Sequence, residues 1–382
     1  MKKMISSLLC VVMAAALFAG CGKASSDEEK SGDTPSVGDT ANDGDNIVRY
    51  TLTSTPQIDP GVGSDLGAAT VLINLYDPLV QPQKDGSTTP WIATEWETSE
   101  DGKTWTFKLR DDVKFHSGNP LTAADVVYSM QRNLDMGEGF GYLFSSVVEE
   151  AKALDDTTVQ FVCNKPTGTL LATLVRLYIL DSKLVEENYA KGDYGDKGDY
   201  GKAFLLENDA GSGPYKVKEY AANSHVLCEK NADYWAGLDE NTPEEFKAIG
   251  SNEAVTVKTM LERKELELSD EYQTSETIDA LGKVDGISIM ENTQGDIIYL
   301  LLNNQKAPTD DEHVRKALAY MLDYDAVCKD VYPNSVKAES IISKNVLGFK
   351  KMSEYSFNIE KAKEEIQKSK YADNIQDYPI EV

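Results

Sequence analysis

PWIATEWETSEDGKTWTFKLRDDVKFHSGNPLTAADVVYSMQR, residues 90–132, is the stretch whose reading decides the fold. Trp105, Phe107 and Leu109 alternate with Thr106 and Lys108, the two-residue period of a half-buried strand. Asp101-Gly102 just before them is a hairpin-turn pair, with Trp91 and Trp96 on the incoming side. Val113 and Phe115 continue the inward phase, which places His116 on the outward phase before a Ser117-Gly118 turn. Thr122, with Asp125 three residues on, then makes a capping-box pattern. Val126 or Val127, Met130 and Leu134 follow at helical spacing. The stretch reads as a strand, a turn and a helix whose apolar face packs on a small sheet.

The same kind of pattern runs outward on both sides. Asp85-Gly86 is a second turn pair, and Val159, Phe161 and Cys163 alternate as another strand. GSGPYKVKEY (211–220) is a turn feeding a strand through Tyr215 and Val217. SHVLCEKNADYW (224–235) is its expected partner, turning at Asn231-Ala232-Asp233, and FKAI (246–249) is a further strand. After residue 250, AVTVKTMLERKELELS (254–269) reads as a helix running into a strand. Ile297–Leu302 is an apolar run of strand length, as in a sheet covered on both faces. Asp310 or Asp311 is expected to cap a helix carrying Val314, Leu318 and Met321 on one side. Ile359, Ala362 and Ile366 mark another helix, and YPIEV (378–382) begins a strand. The pattern is α/β throughout, in two regions that meet near residue 250.

The first twenty residues carry Lys2 and Lys3, then an apolar run from Leu8 to Gly20, too short to span a bilayer as a helix. That is an export signal over residues 1–20. LFAGC at its end resembles the lipobox of bacterial lipoproteins, with Cys21 as the lipidated residue and Phe18 where leucine is more usual. Residues 21–46 contain one large apolar side chain, Val37, and cannot bury enough surface to offset the entropy of ordering. They are expected to form a disordered acidic tether with a reach of roughly 25–30 Å. Lipid on Cys21 would hold the body at the membrane with no transmembrane helix.

The formal net charge of −26 becomes −28 when the signal leaves with its two lysines. Nucleic acid is thereby excluded as a partner, because phosphate binding needs a basic surface. Of the five cysteines, Cys10 leaves with the signal and Cys21 takes lipid. Cys163, Cys228 and Cys328 remain, with no CxxC spacing, so a zinc site is not expected. One disulfide plus a free thiol, or three buried thiols, are both open. His116, His225 and His313 are scattered, with no pair at ligand spacing. GxSxG, HExxH and P-loop motifs are absent from the sequence, and GSGPY lacks the lysine and helix of a phosphate loop. Acidic pairs such as Glu149-Glu150 and Glu186-Glu187 are solvated faces among 64 acidic residues. Neither a catalytic constellation nor a cofactor or metal is expected.

In order along the chain, IDP (58–60), LINLYDPLV (72–80), the 90–132 stretch, GSGPYKVKEY, EKNADYW (229–235) and LLNNQKAPTDDEHVRKALAYMLD (301–323) resemble the family 5 solute-binding proteins of ABC importers. That group takes oligopeptides, dipeptides or nickel, and the NNQKAP segment looks closest to the oligopeptide binders. The resemblance implies a two-lobe periplasmic-binding-protein-like fold, class II and cluster C type, with an extra subdomain inserted in the first lobe. The first lobe would be 47–75 plus 166–250, the inserted subdomain 76–165, and a partial second lobe 251–382. The implied protein is a monomeric, lipid-anchored receptor on the outer face of the cytoplasmic membrane. It would close on a peptide and deliver it to the importer's permease and ATPase complex. Thr55, Pro56 and Gln57 match the first-lobe strand that lies along the peptide, held by main-chain hydrogen bonds, though Pro56 has no amide to donate. Phe140 and Tyr142 match a region that contributes an aromatic wall, with core packing as the alternative.

Two departures stand out. The family shows a leucine-x-x-glycine-glutamate-isoleucine-aspartate stretch where this chain has LERKELELS, so the turn after Leu261 is expected to differ. Members also continue well past the point matching Val382, so the chain is expected to be truncated, to fold poorly alone and to bind weakly. Within the family, a nickel-chelate or sugar binder is the alternative. Outside it, the alternatives are a peptide-sensing receptor without transport and, against the missing nucleophile–base pair, an extracytoplasmic hydrolase.

Overall fold

The computed structural model describes residues 46–380 apart from 84, 85, 252, 272, 291–295, 334, 345, 347 and 353. The export signal, Cys21, nearly all of the expected tether, Asp85 and Val382 lie outside the described residues. No helix among the described residues is long and apolar enough to cross a membrane.

One four-stranded sheet has the order β1 (Ile47–Leu52), β10 (Glu245–Gly250), β9 (His225–Lys230), β8 (Tyr215–Ala221). β1 runs parallel to β10, with Ile47 opposite Glu245 and Leu52 opposite Gly250, whereas β10–β9 and β9–β8 are antiparallel. Two neighbouring parallel strands cannot be joined by a tight turn, so the chain must leave and return. Here the whole stretch from 53 to 244 lies between them. It includes a second, fully antiparallel sheet of order β4 (Ala93–Thr98), β5 (Thr104–Leu109), β7 (Thr158–Cys163), β6 (Val148–Asp155), and a small hairpin of β2 (Val80–Pro82) and β3 (Thr88–Pro90).

The alternation in β5 does what its period demands. Trp105, Phe107 and Leu109 are buried and Lys108 is exposed. Phe107 packs between Trp96 and Phe161, and burying such a side chain stabilises the fold by roughly 1.5–3 kcal/mol. Gly102 takes the left-handed backbone of the hairpin turn, at φ 69°. Asp125 receives the Thr122 amide at 2.8 Å and starts the helix Ala123–Met136, which ends at a left-handed Gly137. One hydrophobic core reaches from Leu52 to Ala248 and includes side chains of both sheets. Cys163 and Cys228 are buried in it as free thiols, while Cys328 is a half-exposed one.

Beyond Gly250 several expectations are corrected. Ile297–Leu302 is not a strand: no partner strand is paired with it among the described residues, Ile298 is 69% exposed and Leu301 85%. Apolar side chains alone do not make a strand, because the backbone groups need a ladder. Tyr378–Ile380 likewise forms no strand. The strand expected after the helix Ala254–Glu262 shrinks to one parallel bridge, Leu268 to Tyr50 beside β1. The turn after Leu261 takes a left-handed form. Lys264 adopts φ 59°, and the Glu265 amide reaches back to the Met260 carbonyl at 2.8 Å, a left-handed helix stop. The remaining helices follow their signals: Asp311 caps Glu312–Met321, and Asn358 caps Ile359–Lys368.

Candidate functional site

The chain leaves β1 and β10 at the same end of the sheet, since the two strands are parallel. In open α/β sheets the carboxyl ends of parallel strands are where ligands are held. The segment emerging there from β1 is Thr53–Gln57. None of its main-chain N–H or C=O groups is hydrogen-bonded to another described residue. Pro56 is buried, Thr55 and Gln57 are half-buried, and the Thr55 hydroxyl is buried with no partner among the described residues. Main-chain groups at the surface of a fold normally find a ladder or water. A stretch with no ladder partner among the described residues at this place is a ready edge for an added strand. Gly250, the last residue of β10, sits directly beneath it. A Cβ there would come 2.4 Å from the Thr55 nitrogen.

The next turn fixes this segment in place. Asp59 and Arg132 form a buried two-pronged ion pair, with both N–O distances 2.7 Å. The third edge of the guanidinium, Nε, donates to the Tyr200 carbonyl at 2.9 Å, and the Gly61 amide donates to Asp59 at 2.8 Å. Arg132 is 0% exposed on its side chain. Burial works against its charge, but Asp59 outweighs that and raises its pKa further. Gly139, at φ 54°, abuts Gly61, where a Cβ would meet the Gly61 carbonyl at 2.8 Å. That contact brings the GEGFG loop onto the 59–63 turn.

Phe140 follows and is buried. Its ring lies 6.4 Å from that of Tyr178 and 5.2 Å below the Arg176 guanidinium. Arg176 donates from Nη1 to the Tyr178 hydroxyl at 3.2 Å. Tyr178 packs on Tyr76, whose hydroxyl donates to the Ile58 carbonyl at 3.1 Å. Tyr142, in contrast, is 62% exposed. The structure thus brings Thr55, Pro56, Gln57 and Phe140 into one neighbourhood, with Phe140 in the core and Tyr142 at the surface.

The other motif residues are ties between distant segments. Asp77 accepts from the Trp91 indole (2.8 Å), Ser212 (2.8 Å), Tyr234 (2.9 Å) and the Trp235 indole (2.9 Å). Burial raises its pKa and those four bonds pull it partly back. Asp125 also accepts from Ser182 at 2.6 Å, and Asp181 accepts from Ser117 at 2.5 Å. His116 is not turned outward. Its Nδ1 is 2.5 Å from Asp209 and its Nε2 2.9 Å from the Gly213 carbonyl. Val113 and Phe115 are buried as the phase requires, but the 209–213 loop covers His116. Burial lowers the His116 pKa, and the hydrogen bond and charge of Asp209, with the Gly213 carbonyl, more than restore it, leaving it raised.

These groups are engaged with one another. Asp59 and Asp77 have both oxygens occupied, and each histidine has a carboxylate of its own: Asp209 for His116, Glu219 for His225, Glu365 for His313. Sequence reasoning missed the Asp59–Arg132 pair and Arg176. The IDP motif and the arginine that ends the 90–132 stretch were the available signal for the first, and nothing local marked the second.

The body is α/β, with a parallel strand pair opening onto a segment that has no ladder partner among the described residues. The solved structure of DppA from Helicobacter pylori, in complex with peptide STSA, shares the fold. Its TM-score is 0.71 and its identity 24%, and the match covers 85% of this chain and 66% of that one. Residues 87–380 match the family described as bacterial extracellular solute-binding proteins, family 5 Middle, and the chain belongs to that family. It is 29% identical over 287 residues to the probable D,D-dipeptide-binding periplasmic protein DdpA of Escherichia coli K12, covering 73% of this chain and 53% of that protein. It is 30% identical over 319 residues to the dipeptide-binding protein of the same organism, covering 76% and 57%. The chain therefore spans little more than half the length of these two relatives.

Proposed function

We propose that the chain is the substrate-binding component of an ABC importer for peptides, a binding protein and not an enzyme. The observation that carries this is the Thr53–Gln57 segment: main-chain groups without partners among the described residues, held by Asp59–Arg132 at the carboxyl ends of β1 and β10. A peptide added as a strand along Thr55 and Gln57 satisfies those groups through its own main chain, so side-chain selectivity is loose. Pro56 leaves one rung without a donor. The DppA structure in complex with a peptide and the relatives named as dipeptide binders support the reading. Residues 47–75 and 166–250 are proposed as the first lobe, 76–165 as its inserted subdomain, and 251 onward as second-lobe sequence. Tyr142 is proposed as an exposed aromatic contact. Cys21 is proposed as the lipid anchor of an exported, monomeric receptor that hands peptide to a permease and ATPase complex.

The test is calorimetric titration with defined di-, tri- and pentapeptides, a nickel–histidine chelate and a disaccharide. Saturable binding of peptides of varied sequence is expected. Heat from the chelate or sugar alone would refute the peptide reading. Cys21→Ser should release the protein from membranes into the soluble fraction, and retention would refute the anchor.

A further inference from the structure

Asp285 and Gly286 are the central pair of a turn that follows the helix Ser275–Leu281. One main-chain bond closes it, from the Ile287 amide to the Val284 carbonyl at 3.2 Å. Both residues are exposed. The Asp285 carboxylate and the Gly286 amide have no hydrogen-bond partner among the described residues. A Cβ on Gly286 would meet nothing within 4 Å, so the space around the pair is open.

The same dipeptide recurs in the chain, and Asp101-Gly102 is the informative contrast. One oxygen of Asp101 accepts from the Ser99 hydroxyl at 2.6 Å and from the Lys103 amide at 3.0 Å. Those bonds hold its carboxyl below the usual carboxylate range. The Gly102 amide donates to the Ser99 carbonyl at 2.8 Å, its carbonyl accepts from the Thr167 amide at 3.3 Å, and Pro166 lies against the glycine. At a third pair the Gly86 amide donates to the Gln83 carbonyl at 3.0 Å. Asp85 and the whole of Asp43-Gly44 lie outside the described residues. Of the two pairs described in full, one is tied at both groups and the other at neither.

Those two groups are the ones that react with each other. The amide nitrogen after an aspartate can attack that residue's own side-chain carboxyl carbon, and a following glycine has no Cβ to obstruct the approach. We propose that Asp285 is a modification site, where the folded protein forms a succinimide with Gly286 and isomerises to isoaspartate. The Gly286 nitrogen bonds to Asp285 Cγ, and its proton leaves with the carboxyl's hydroxyl as one water. Water then adds back to either carbonyl of the five-membered imide. Addition at the main-chain carbonyl breaks its bond to the Gly286 nitrogen and leaves the chain running through Cγ. No oxidant, reductant or second substrate is consumed, and the product has the mass of the starting chain. The main chain gains one methylene inside a turn closed by a single bond. Ile289 returns against Gly282 across that turn, so the longer link loosens their contact.

The test incubates the full 382-residue chain at neutral pH, folded and in concentrated urea, and scores each Asp-Gly pair separately. Isoaspartate is read by methyl transfer from an isoaspartate methyltransferase and located by peptide mapping with electron-transfer fragmentation. In the folded protein, isoaspartate at Asp285 should exceed that at Asp101 by at least tenfold. In urea the two should accumulate at similar rates, because the contacts that guard Asp101 are gone. Asp285→Glu, whose longer side chain needs a six-membered ring, should abolish the signal at this position and leave the melting midpoint unchanged. Equal accumulation at Asp285 and Asp101 in the folded protein overturns the inference. So does an Asp285 that isomerises in urea and not in the folded chain, since the turn then guards it. Isoaspartate-type label persisting at this position in the Asp285→Glu variant overturns it as well.

Discussion

Replacing Arg132 with methionine tests the ion pair that holds the candidate ligand segment. Methionine approximates the volume and removes the charge. Asp59 would then keep only the Gly61 amide, and the Tyr200 carbonyl would lose its donor, both inside the core. Deleting one member of a buried, two-pronged pair costs about 3–5 kcal/mol, mostly because the other charge is left unmatched. With a urea slope of about 3 kcal/mol per molar for a chain of this size, the unfolding midpoint should fall by about 1–1.7 M. The assay is urea unfolding followed by tryptophan fluorescence, with Asp59→Asn and the double variant in parallel. The double variant should lose less than the sum of the singles, by about 2 kcal/mol or more, because neither charge is then orphaned. A midpoint for R132M within about 0.3 M of wild type, or strictly additive singles, would refute the reasoning.

Three further expectations follow from particular contacts. His116→Gln should leave peptide binding nearly unchanged but cost about 1–3 kcal/mol at low pH. The folded pKa of His116 is raised, so its contribution is complete below the unfolded value of about 6.5 and is lost as pH rises through the folded pKa. The gap between wild-type and variant urea midpoints should therefore narrow with rising pH, and a gap that widens would contradict the Asp209 pairing. Lys264→Gly should stabilise the chain by about 1 kcal/mol, since Lys264 holds a left-handed φ of 59° that glycine adopts without strain; a thermal midpoint that falls would count against it. Gly250→Ala should weaken peptide binding by tenfold or more with a smaller effect on stability, because its Cβ would displace Thr55; unchanged affinity would remove the Thr53–Gln57 segment from the site.

What the sequence by itself determined was local. The period of two in Trp105, Phe107 and Leu109 and the cap at Thr122 and Asp125 follow from interactions within a few residues. Those are set by backbone geometry wherever the segment ends up. The same local signals put Gly102 in its turn and Asp311 at a helix start.

What only the tertiary structure decided was pairing across distance. Asp59 and Arg132 are 73 residues apart, and His116 and Asp209 are 93 apart. Periodicity names the face a side chain points to, but it is silent on what covers that face: the phase places His116 outward, and the 209–213 loop buries it. It also cannot supply a ladder partner, which is why Ile297–Leu302 has the composition of a strand and not its structure. Lys264 shows the converse: the fold kept a left-handed turn that the residue there disfavours, because closing the helix end and burying Leu266 outweigh about 1 kcal/mol of backbone strain. Of the candidate site, the sequence names the segment Thr55–Gln57, and by resemblance alone. Its main-chain edge, without partners among the described residues, and the Asp59–Arg132 clamp exist only once residues far apart in the chain are packed together.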